Sequence, residues 1–245
     1  MAQKWSQIET NRRVRTTFAG ETLVDSAKTI LVRESGYQLD YYFPEADVRM
    51  DLLQDVGYTE TTGYKGTAHF YNVKVGDQII ENAAWKFPET IANRPDVRGR
   101  IAFDFGKMDS WFEEDLEVFG HPRDPFHRVD VYPSSRQVKV VIDGETVADS
   151  TNAHFLYETN TKTRYYIPQD DVRMDLLTAV ETHSYCPYKG EASYHSATVN
   201  GKTYDNAVWY YPEPLPEQPW IKDLLAFWDE KDKAIEIYVD GELVG

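Results

Sequence analysis

The chain has little cysteine and no long apolar run, and each shortage excludes a class of protein. Cys186 is the only cysteine among 245 residues, so an intramolecular disulfide and a multi-cysteine zinc cage within one chain are both excluded. No stretch approaches the ~18 consecutive apolar residues that a membrane-spanning helix needs. Residues 1–7 also lack the apolar core of a secretory signal. We therefore expect a cytoplasmic protein with no membrane partner.

Basic residues are also scarce, which makes the chain acidic. It contains 26 Lys and Arg against 41 Asp and Glu, a formal net charge of −15 at pH 7. Proteins bind the phosphates of nucleic acids with clustered Lys and Arg, and no basic run occurs here. Nucleic acid is therefore not an expected partner. A small anionic molecule stays compatible with the composition, because the local potential of a pocket can oppose the net charge.

The chain contains an internal sequence repeat. About 30 of the 84 positions from 20 to 103 are identical to the residue 124 positions later, without a gap. The longest exact match joins Asp47–Leu53 to Asp171–Leu177. Self-similarity of this kind indicates a duplicated structural unit. We expect a first domain over residues 1–118, a Pro-containing linker over 119–135 and a second domain over 136–245.

The local signals within each copy are those of β-strands. Val138–Ile142 is a mostly apolar stretch that ends at Asp143-Gly144, and such a stretch followed by this dipeptide predicts a tight hairpin. Asn200-Gly201 predicts a second hairpin in the same way. Residues that favour pleated surfaces, such as Tyr, Val, Ile and Thr, are plentiful, and helical periodicity is scarce. The expected fold class is mostly β.

Several motifs in a fixed order resemble domain-of-unknown-function family 427, and the resemblance covers both copies. In the second copy they are Tyr-Tyr-x-Pro from Tyr165, Asp-Val-Arg-Met-Asp-Leu-Leu from Asp171, Cys-Pro-Tyr-Lys-Gly from Cys186, and Asn-Ala-x-Trp ending at Trp209. The segment from His121 to Pro125 is similar to that of the two-domain branch. The resemblance implies a tandem duplication of a small β-tent-like domain, related in shape to zinc-binding and methionine-sulfoxide-reducing modules. Sequence collections also give this family a nucleotidyltransferase label.

The Cys-Pro-Tyr-Lys-Gly turn distinguishes the two copies. The second copy keeps it as Cys186 to Gly190, whereas the first copy has Thr62-Gly63-Tyr64-Lys65-Gly66 and loses the cysteine and the proline. We therefore expect the second copy to carry the working site. A lysine beside a glycine can approach an anionic group closely, and a purely structural turn explains the same residues. The candidate ligand-binding residues of this motif are Cys186, Tyr188, Lys189, Tyr64 and Lys65.

The repeated Asp-Val-Arg-Met-Asp motif is a second candidate. On a strand, alternate residues share one face, so we expect Asp171, Arg173 and Asp175 to stand in a row that orients a polar ligand or supplies a base. The alternative is a structural network that uses the two-pronged guanidinium of arginine. The same two interpretations apply to Asp47, Arg49 and Asp51.

Trp209 and its neighbouring tyrosines are core residues or the wall of a ring-binding pocket. His121, Asp124 and His127 have the residue types of a metal site but lack its spacing, so no metal site is predicted.

Three functions stay open from the residues. The first is a small-molecule binding domain or enzyme with its pocket in the second repeat, between the Asp-Val-Arg-Met-Asp segment and the Tyr-Lys-Gly turn. The second is a Mg²⁺-dependent nucleotidyltransferase, for which the sequence offers Asp171 and Asp175 but no Gly-Ser motif followed by an Asp-x-Asp pair. The third is a non-catalytic interaction or scaffold protein. The residues indicate no particular cofactor and no oligomeric state.

Overall fold

The structure is a computed structural model that describes residues 5–34, 38–62, 65–89, 91 and 96–244. The chain divides into two compact units, Met1–Asp124 and Pro125–Gly245. The boundary falls inside the stretch predicted as a linker, and part of that stretch, Val129–Pro133, is a strand of the second unit. No helix in the described ranges is long and apolar enough to cross a membrane.

The first unit is built of antiparallel strands and short 3-10 turns. Its strands are β1 Trp5–Glu9, β2 Val14–Phe18, β3 Glu21–Ser26, β4 Ile30–Glu34, β5 Asp40–Pro44, β6 Leu53–Thr62, β7 Gly66–Val75, β8 Gln78–Lys86, β9 Arg100–Phe103, β10 Ser110–Glu113 and β11 Leu116–Glu117. Its 3-10 turns are η1 Glu45–Asp47, η2 Met50–Leu52 and η3 Phe105–Lys107. One sheet has the order β1-β4-β5-β9-β8-β7-β6, and the other has the order β11-β10-β2-β3.

The second unit repeats this plan. Its strands are β12 Val129–Pro133, β13 Val138–Ile142, β14 Glu145–Ser150, β15 His154–Glu158, β16 Arg164–Tyr166, β17 Leu177–Cys186, β18 Gly190–Val199, β19 Lys202–Tyr210, β20 Ala226–Phe227, β21 Ile235–Val239 and β22 Glu242–Leu243. Its 3-10 turns are η4 Gln169–Asp171, η5 Met174–Leu176 and η6 Pro219–Ile221. The sheet orders are β12-β15-β16, β14-β13-β21-β22 and β17-β18-β19-β20. A bridge between Ile167 and Leu225 joins the first of these sheets to the third.

Both hairpin predictions are confirmed. β13 pairs with β14 across Asp143-Gly144, and β18 pairs with β19 across Asn200-Gly201. The turn residues have positive φ, 51° and 79° in the first hairpin and 52° and 79° in the second. Two consecutive left-handed residues match the twist of the flanking strands, which is why Asp-Gly and Asn-Gly are favoured there. The mostly-β class and the tandem duplication are confirmed as well.

The prediction that Asp171, Arg173 and Asp175 lie in a row on a strand is wrong. Both copies fold this motif into two 3-10 turns, η1 and η2 in the first and η4 and η5 in the second. The turns close through i to i+3 hydrogen bonds, such as that from the Leu176 amide to the Arg173 carbonyl at 3.0 Å. Only Val172 between them forms a bridge to a neighbouring strand, at Ala148. The motif is therefore a double turn, and its charged side chains do not share a strand face.

The cores of the two units differ in composition. The first core contains a stacked aromatic group in which Trp111 lies 5.6 Å from Tyr41 and 4.9 Å from Phe105, centroid to centroid. At the corresponding strand pairing of the second core, Val140 of β13 lies opposite Ile237 of β21, although that core also contains Phe155 and Phe227. Because alternate residues of a strand face opposite sides, β2 and β13 both bury every second side chain.

Candidate functional site

The second unit contains a cavity of about 280 Å³ at the junction of β15, β16, β17, β18 and β19. Polar and aromatic side chains converge on it from strands that are distant in sequence. Its lining residues are Glu158, Arg164, Tyr166, Cys186, Lys189, Tyr194, Trp209, Tyr211, Trp228 and Glu230.

A buried ion pair forms one side of the cavity. Lys189 Nζ lies 2.6 Å from Glu158 Oε2, and the two side chains are only 10% and 11% exposed. His127 Nε2 lies 2.9 Å from the other carboxylate oxygen, Oε1, and its ring stacks on Tyr188 at 3.9 Å. Burial opposes ionisation of Glu158, but Lys189 and His127 together hold the pKa of its carboxyl below the ordinary value. Glu158 is therefore a carboxylate with cationic or polar partners on both oxygens.

A second charged group forms the other side. Arg164 donates from Nη2 to Glu230 Oε2 at 2.7 Å and from Nη1 to Asp229 Oδ1 at 3.3 Å. Lys162 also contacts Asp229, whose carboxylate is almost fully buried. The guanidinium carbon of Arg164 lies 5.6 Å from the centroid of the Trp209 ring, a cation–π distance. The guanidinium of Arg164 is thereby held by two carboxylates at its nitrogens and by the Trp209 indole against its plane.

Aromatic rings form the walls between these charged groups. Trp209 and Trp228 meet almost at a right angle, with centroids 6.3 Å apart and an interplanar angle of 78°. Trp209 Nε1 donates to the Tyr166 hydroxyl at 3.1 Å, which fixes the indole in position. The Tyr194 hydroxyl is 2.7 Å from Ser184 Oγ. These rings give the cavity an apolar corner of defined orientation.

Tyr211 contributes a hydroxyl group to the lining of the cavity. Its side chain is 4% exposed, and among the described residues its hydroxyl makes no hydrogen bond. Burial raises the pKa of Tyr211 strongly, and the next contributions come from Tyr166, Cys186 and Tyr194. Tyr211 lines the cavity, and its hydroxyl is a neutral hydrogen-bond donor and acceptor there.

The first unit keeps part of this arrangement at the same 124-residue offset. Lys65 Nζ lies 3.3 Å from Glu34 Oε2 and 3.3 Å from Asp40 Oδ2, and Trp85 donates to the Tyr42 hydroxyl at 3.3 Å. Burial opposes the charged form of Lys65, but Tyr42, Asp40 and Glu34 raise its pKa above the ordinary value. The lysine–glutamate pair and the tryptophan–tyrosine bond are therefore common to both repeats.

The remaining lining residues differ between the repeats. The first repeat has Asp40 at the position of Arg164, Thr62 for Cys186, Phe70 for Tyr194, Phe87 for Tyr211, Asp104 for Trp228 and Gly106 for Glu230. The offset holds structurally at this end of the alignment, since the amides of Asp104 and Trp228 donate to Ala83 and Ala207 respectively, also 124 residues apart. The shared residues therefore support the fold of both copies, and most of the polar side chains that line the cavity occur only in the second copy.

The structure brings together three residues of the predicted site: Cys186, Lys189 and Trp209 all line the cavity. Tyr188 lies beside it, stacked on His127, and Lys65 occupies the corresponding place in the first repeat. Tyr64 lies outside the described residues.

The Asp-Val-Arg-Met-Asp residues do not line the cavity. Arg173 forms a two-pronged pair with Asp175, at 2.8 and 2.7 Å, and contacts Glu145, on an exposed surface. Asp171 accepts a hydrogen bond from Ser150 Oγ at 2.6 Å. Arg49, Asp51 and Asp47 repeat these contacts in the first unit. The geometry favours the structural interpretation of this motif.

Sequence reasoning missed five lining residues: Glu158, Arg164, Tyr194, Trp228 and Glu230. A signal for Glu158 was present, because Glu34 and Glu158 are an isolated identity at the 124-residue offset. Arg164 and Trp228 could have been found from a difference between the repeats, because the first copy has acidic residues at both positions. Comparison of the repeats position by position identifies both the conserved Glu158 and the substituted Arg164 and Trp228.

The histidines and aspartate of the inter-repeat segment have separate partners. His121 Nδ1 lies 2.8 Å from the Pro122 carbonyl oxygen, Asp124 pairs with Arg33, and His127 pairs with Glu158. Among the described residues, no group of three or more His, Cys, Asp or Glu side chains is arranged to hold a metal ion.

Comparison with known families gives one match. The sequence model of a family described as a domain of unknown function, DUF427, matches residues 7–114 and 130–244. The model also carries a nucleotidyltransferase name. The two matched segments correspond to the two repeats. No similar protein was found among the curated proteins searched.

Proposed function

The chain belongs to the DUF427 family, and we propose that it is a cytoplasmic protein that binds a small polar metabolite in the cavity of its second repeat. The observation that carries this proposal is the convergence of polar groups on aromatic walls around a cavity of about 280 Å³. Small-molecule sites typically combine an apolar wall with a few placed polar groups. The loss of most of this lining from the first repeat supports the second repeat as the binding copy.

Nucleotidyl transfer, which the name of the family model suggests, has less support from the residues. That reaction uses carboxylates to hold Mg²⁺ beside a triphosphate. Asp171 and Asp175 lie outside the cavity and are held by Ser150 and Arg173. The carboxylates inside the cavity, Glu158 and Glu230, are engaged by cations.

Ligand screening by two readouts tests the proposal. Thermal unfolding and the rate of Cys186 alkylation are measured with sugars, amino acids, nucleosides and nucleotides, the last with and without Mg²⁺. A ligand at about 100 times its dissociation constant stabilises by about 2.7 kcal/mol, so we expect the midpoint to rise by roughly 5–10 °C. Cys186 is the only cysteine and lines the cavity, so a bound ligand should slow its alkylation.

A matched pair of variants locates the binding. Trp228 lines the cavity and is 38% exposed, whereas Trp220 lies in the same unit, outside the cavity, and is 54% exposed. We expect Trp228→Ala to abolish both responses and Trp220→Ala to keep them. A response to nucleotide that requires Mg²⁺ would favour nucleotidyl transfer instead. No response across the panel would contradict the proposal and favour an interaction or scaffold role, which recovery of a stable complex from cells then tests.

A further inference from the structure

We infer that the ligand of this cavity is an uncharged polar ring compound and that the Tyr211 hydroxyl recognises it by a hydrogen bond. This inference rests on the proposed function and names the substrate class of the same site. Three features of the cavity carry it: the balance of its charges, the orientation of its aromatic walls and the unpartnered hydroxyl.

The charges that line the cavity cancel one another. Two cations, Arg164 and Lys189, face two carboxylates, Glu158 and Glu230. Each cation already has its carboxylate, at 2.6 Å for the lysine and 2.7 Å for the arginine. A ligand with net charge would enter a partly buried site in which no described lining residue offers an unpaired counter-charge, and burying an uncompensated charge is strongly unfavourable. The cavity therefore selects a ligand without net charge.

The aromatic walls favour a ring. Trp209 and Trp228 both line the cavity and stand at 78° to each other, so the two indole rings form a corner. Aromatic side chains accept flat or ring-shaped groups by stacking or by edge-to-face contact. Trp209 is fixed by its hydrogen bond to Tyr166, so this corner exists before the ligand arrives. A sugar ring and a nucleobase ring both have this chemistry.

The Tyr211 hydroxyl has no evident role in folding. This hydroxyl has no hydrogen-bond partner among the described residues, although the residue as a whole is only 4% exposed. At the same place the first repeat has Phe87, which is also buried, at 3% exposure. The fold is therefore satisfied by a ring without the oxygen. Because Tyr211 lines the cavity, the oxygen that the second repeat adds can donate a hydrogen bond to a ligand there or accept one from it.

Two pairs of compounds that differ by one phosphate test this inference. The pairs are glucose with glucose 6-phosphate, and adenosine with adenosine 5′-monophosphate; dissociation constants are measured by titration calorimetry on the full chain. We expect the uncharged member of one pair to bind at least ten times more tightly than its phosphorylated partner and to protect Cys186 from alkylation. The pair that responds distinguishes a sugar from a nucleobase.

Tyr211→Phe tests the hydrogen bond, with Tyr132→Phe as its matched control. Tyr132 is in the same unit, is 54% exposed and does not line the cavity. Loss of one neutral hydrogen bond should weaken binding by roughly two- to twelvefold, with no fall in the unfolding midpoint, because Phe87 shows that the repeat accepts phenylalanine here. The control should bind as the unaltered protein does.

Each contrary result has a distinct meaning. Equal or tighter binding of a phosphorylated member overturns the uncharged-ligand inference while the proposed function stands. Unchanged affinity of Tyr211→Phe for the bound compound overturns the role of the hydroxyl. If none of the four compounds binds, the ring inference is overturned, and protection of Cys186 by another class in the wider panel would leave the proposed function intact.

Discussion

Replacing Lys189 with methionine tests how strongly the buried ion pair stabilises the second repeat. Methionine keeps most of the length and apolar surface of lysine but leaves Glu158 buried with His127 as its remaining partner. Removing one member of a buried ion pair typically costs 3–5 kcal/mol, because the other charge stays uncompensated. His127 retains one contact with the carboxylate, so we expect a loss of about 3 kcal/mol. For a unit of this size the midpoint should fall by about 10 °C.

Calorimetry of the full chain without ligand measures the midpoint. Hydrogen exchange in peptides that contain β15 and β18 assigns the change to the second unit. Lys222→Met is the matched control, because Lys222 in the same unit pairs with Glu213 at 3.0 Å on an exposed surface. Exposed ion pairs contribute little, so the control should leave the midpoint unchanged within error.

The effect of Lys189→Met should also depend on pH. In the unaltered protein the pKa of Glu158 is below its ordinary value, so its ionised form contributes stability that is present at neutral pH and is lost as pH falls through the folded pKa. In the variant, burial without the lysine raises this pKa, and protonation relieves the penalty as pH falls. The difference in midpoint between the two proteins should therefore be greatest near neutral pH and shrink towards about pH 4. A midpoint change below about 2 °C, or one that is constant with pH, would refute this reasoning.

Two further variants test local geometry. Gly190→Ala should destabilise the turn that carries Lys189, because Gly190 has φ +108° and an added Cβ would lie 3.3 Å from the Glu213 carbonyl oxygen. We expect a lower unfolding midpoint and weaker ligand binding. An unchanged midpoint together with unchanged binding would contradict this prediction. Ser150→Ala should lower the stability of the second unit by about 1–2 kcal/mol, because it removes the buried hydroxyl that donates to Asp171. Urea unfolding measures this loss, and an unaltered transition would show that Asp171 is satisfied without the serine.

The parts of the fold that could be predicted from sequence are those that local chemistry determines. A gapless identity pattern identified the duplication, and Asp143-Gly144 identified a hairpin, because few residues tolerate two successive left-handed conformations. The Asp-Val-Arg-Met-Asp motif misled the prediction, since its alternation of polar and apolar residues is typical of a strand. In the structure Pro168 precedes two 3-10 turns, and the apolar residues turn inwards from those instead.

The site was predicted only in part, for a physical reason. Cys186 and Lys189 lie on a single turn whose motif is visible in the sequence, and Trp209 is identical in both repeats. Glu158 lies 31 positions before Lys189 and meets it only because strand pairing and sheet packing bring β15 beside the turn. Tyr211 was one of several tyrosines that could be core residues or part of a pocket wall, and residue type alone does not separate the two. Its significance comes from the missing hydrogen-bond partner, which only the three-dimensional structure reveals.

The different compositions of the two cores bear on how the chain reaches its native state. Tandem copies of one topology are prone to exchange strands while they fold, because each strand has a counterpart at the same place of the neighbouring copy. Here a strand that paired in the other copy would place a side chain of the wrong volume in its core. Trp111 of β10 pairs with β2, whereas the equivalent edge of β13 receives Ile237 of β21. An indole at the place of Ile237 would be overpacked, and an isoleucine at the place of Trp111 would leave a void. We therefore expect the mismatch in side-chain volume at this pairing to disfavour exchange of β10 and β21 between the two copies.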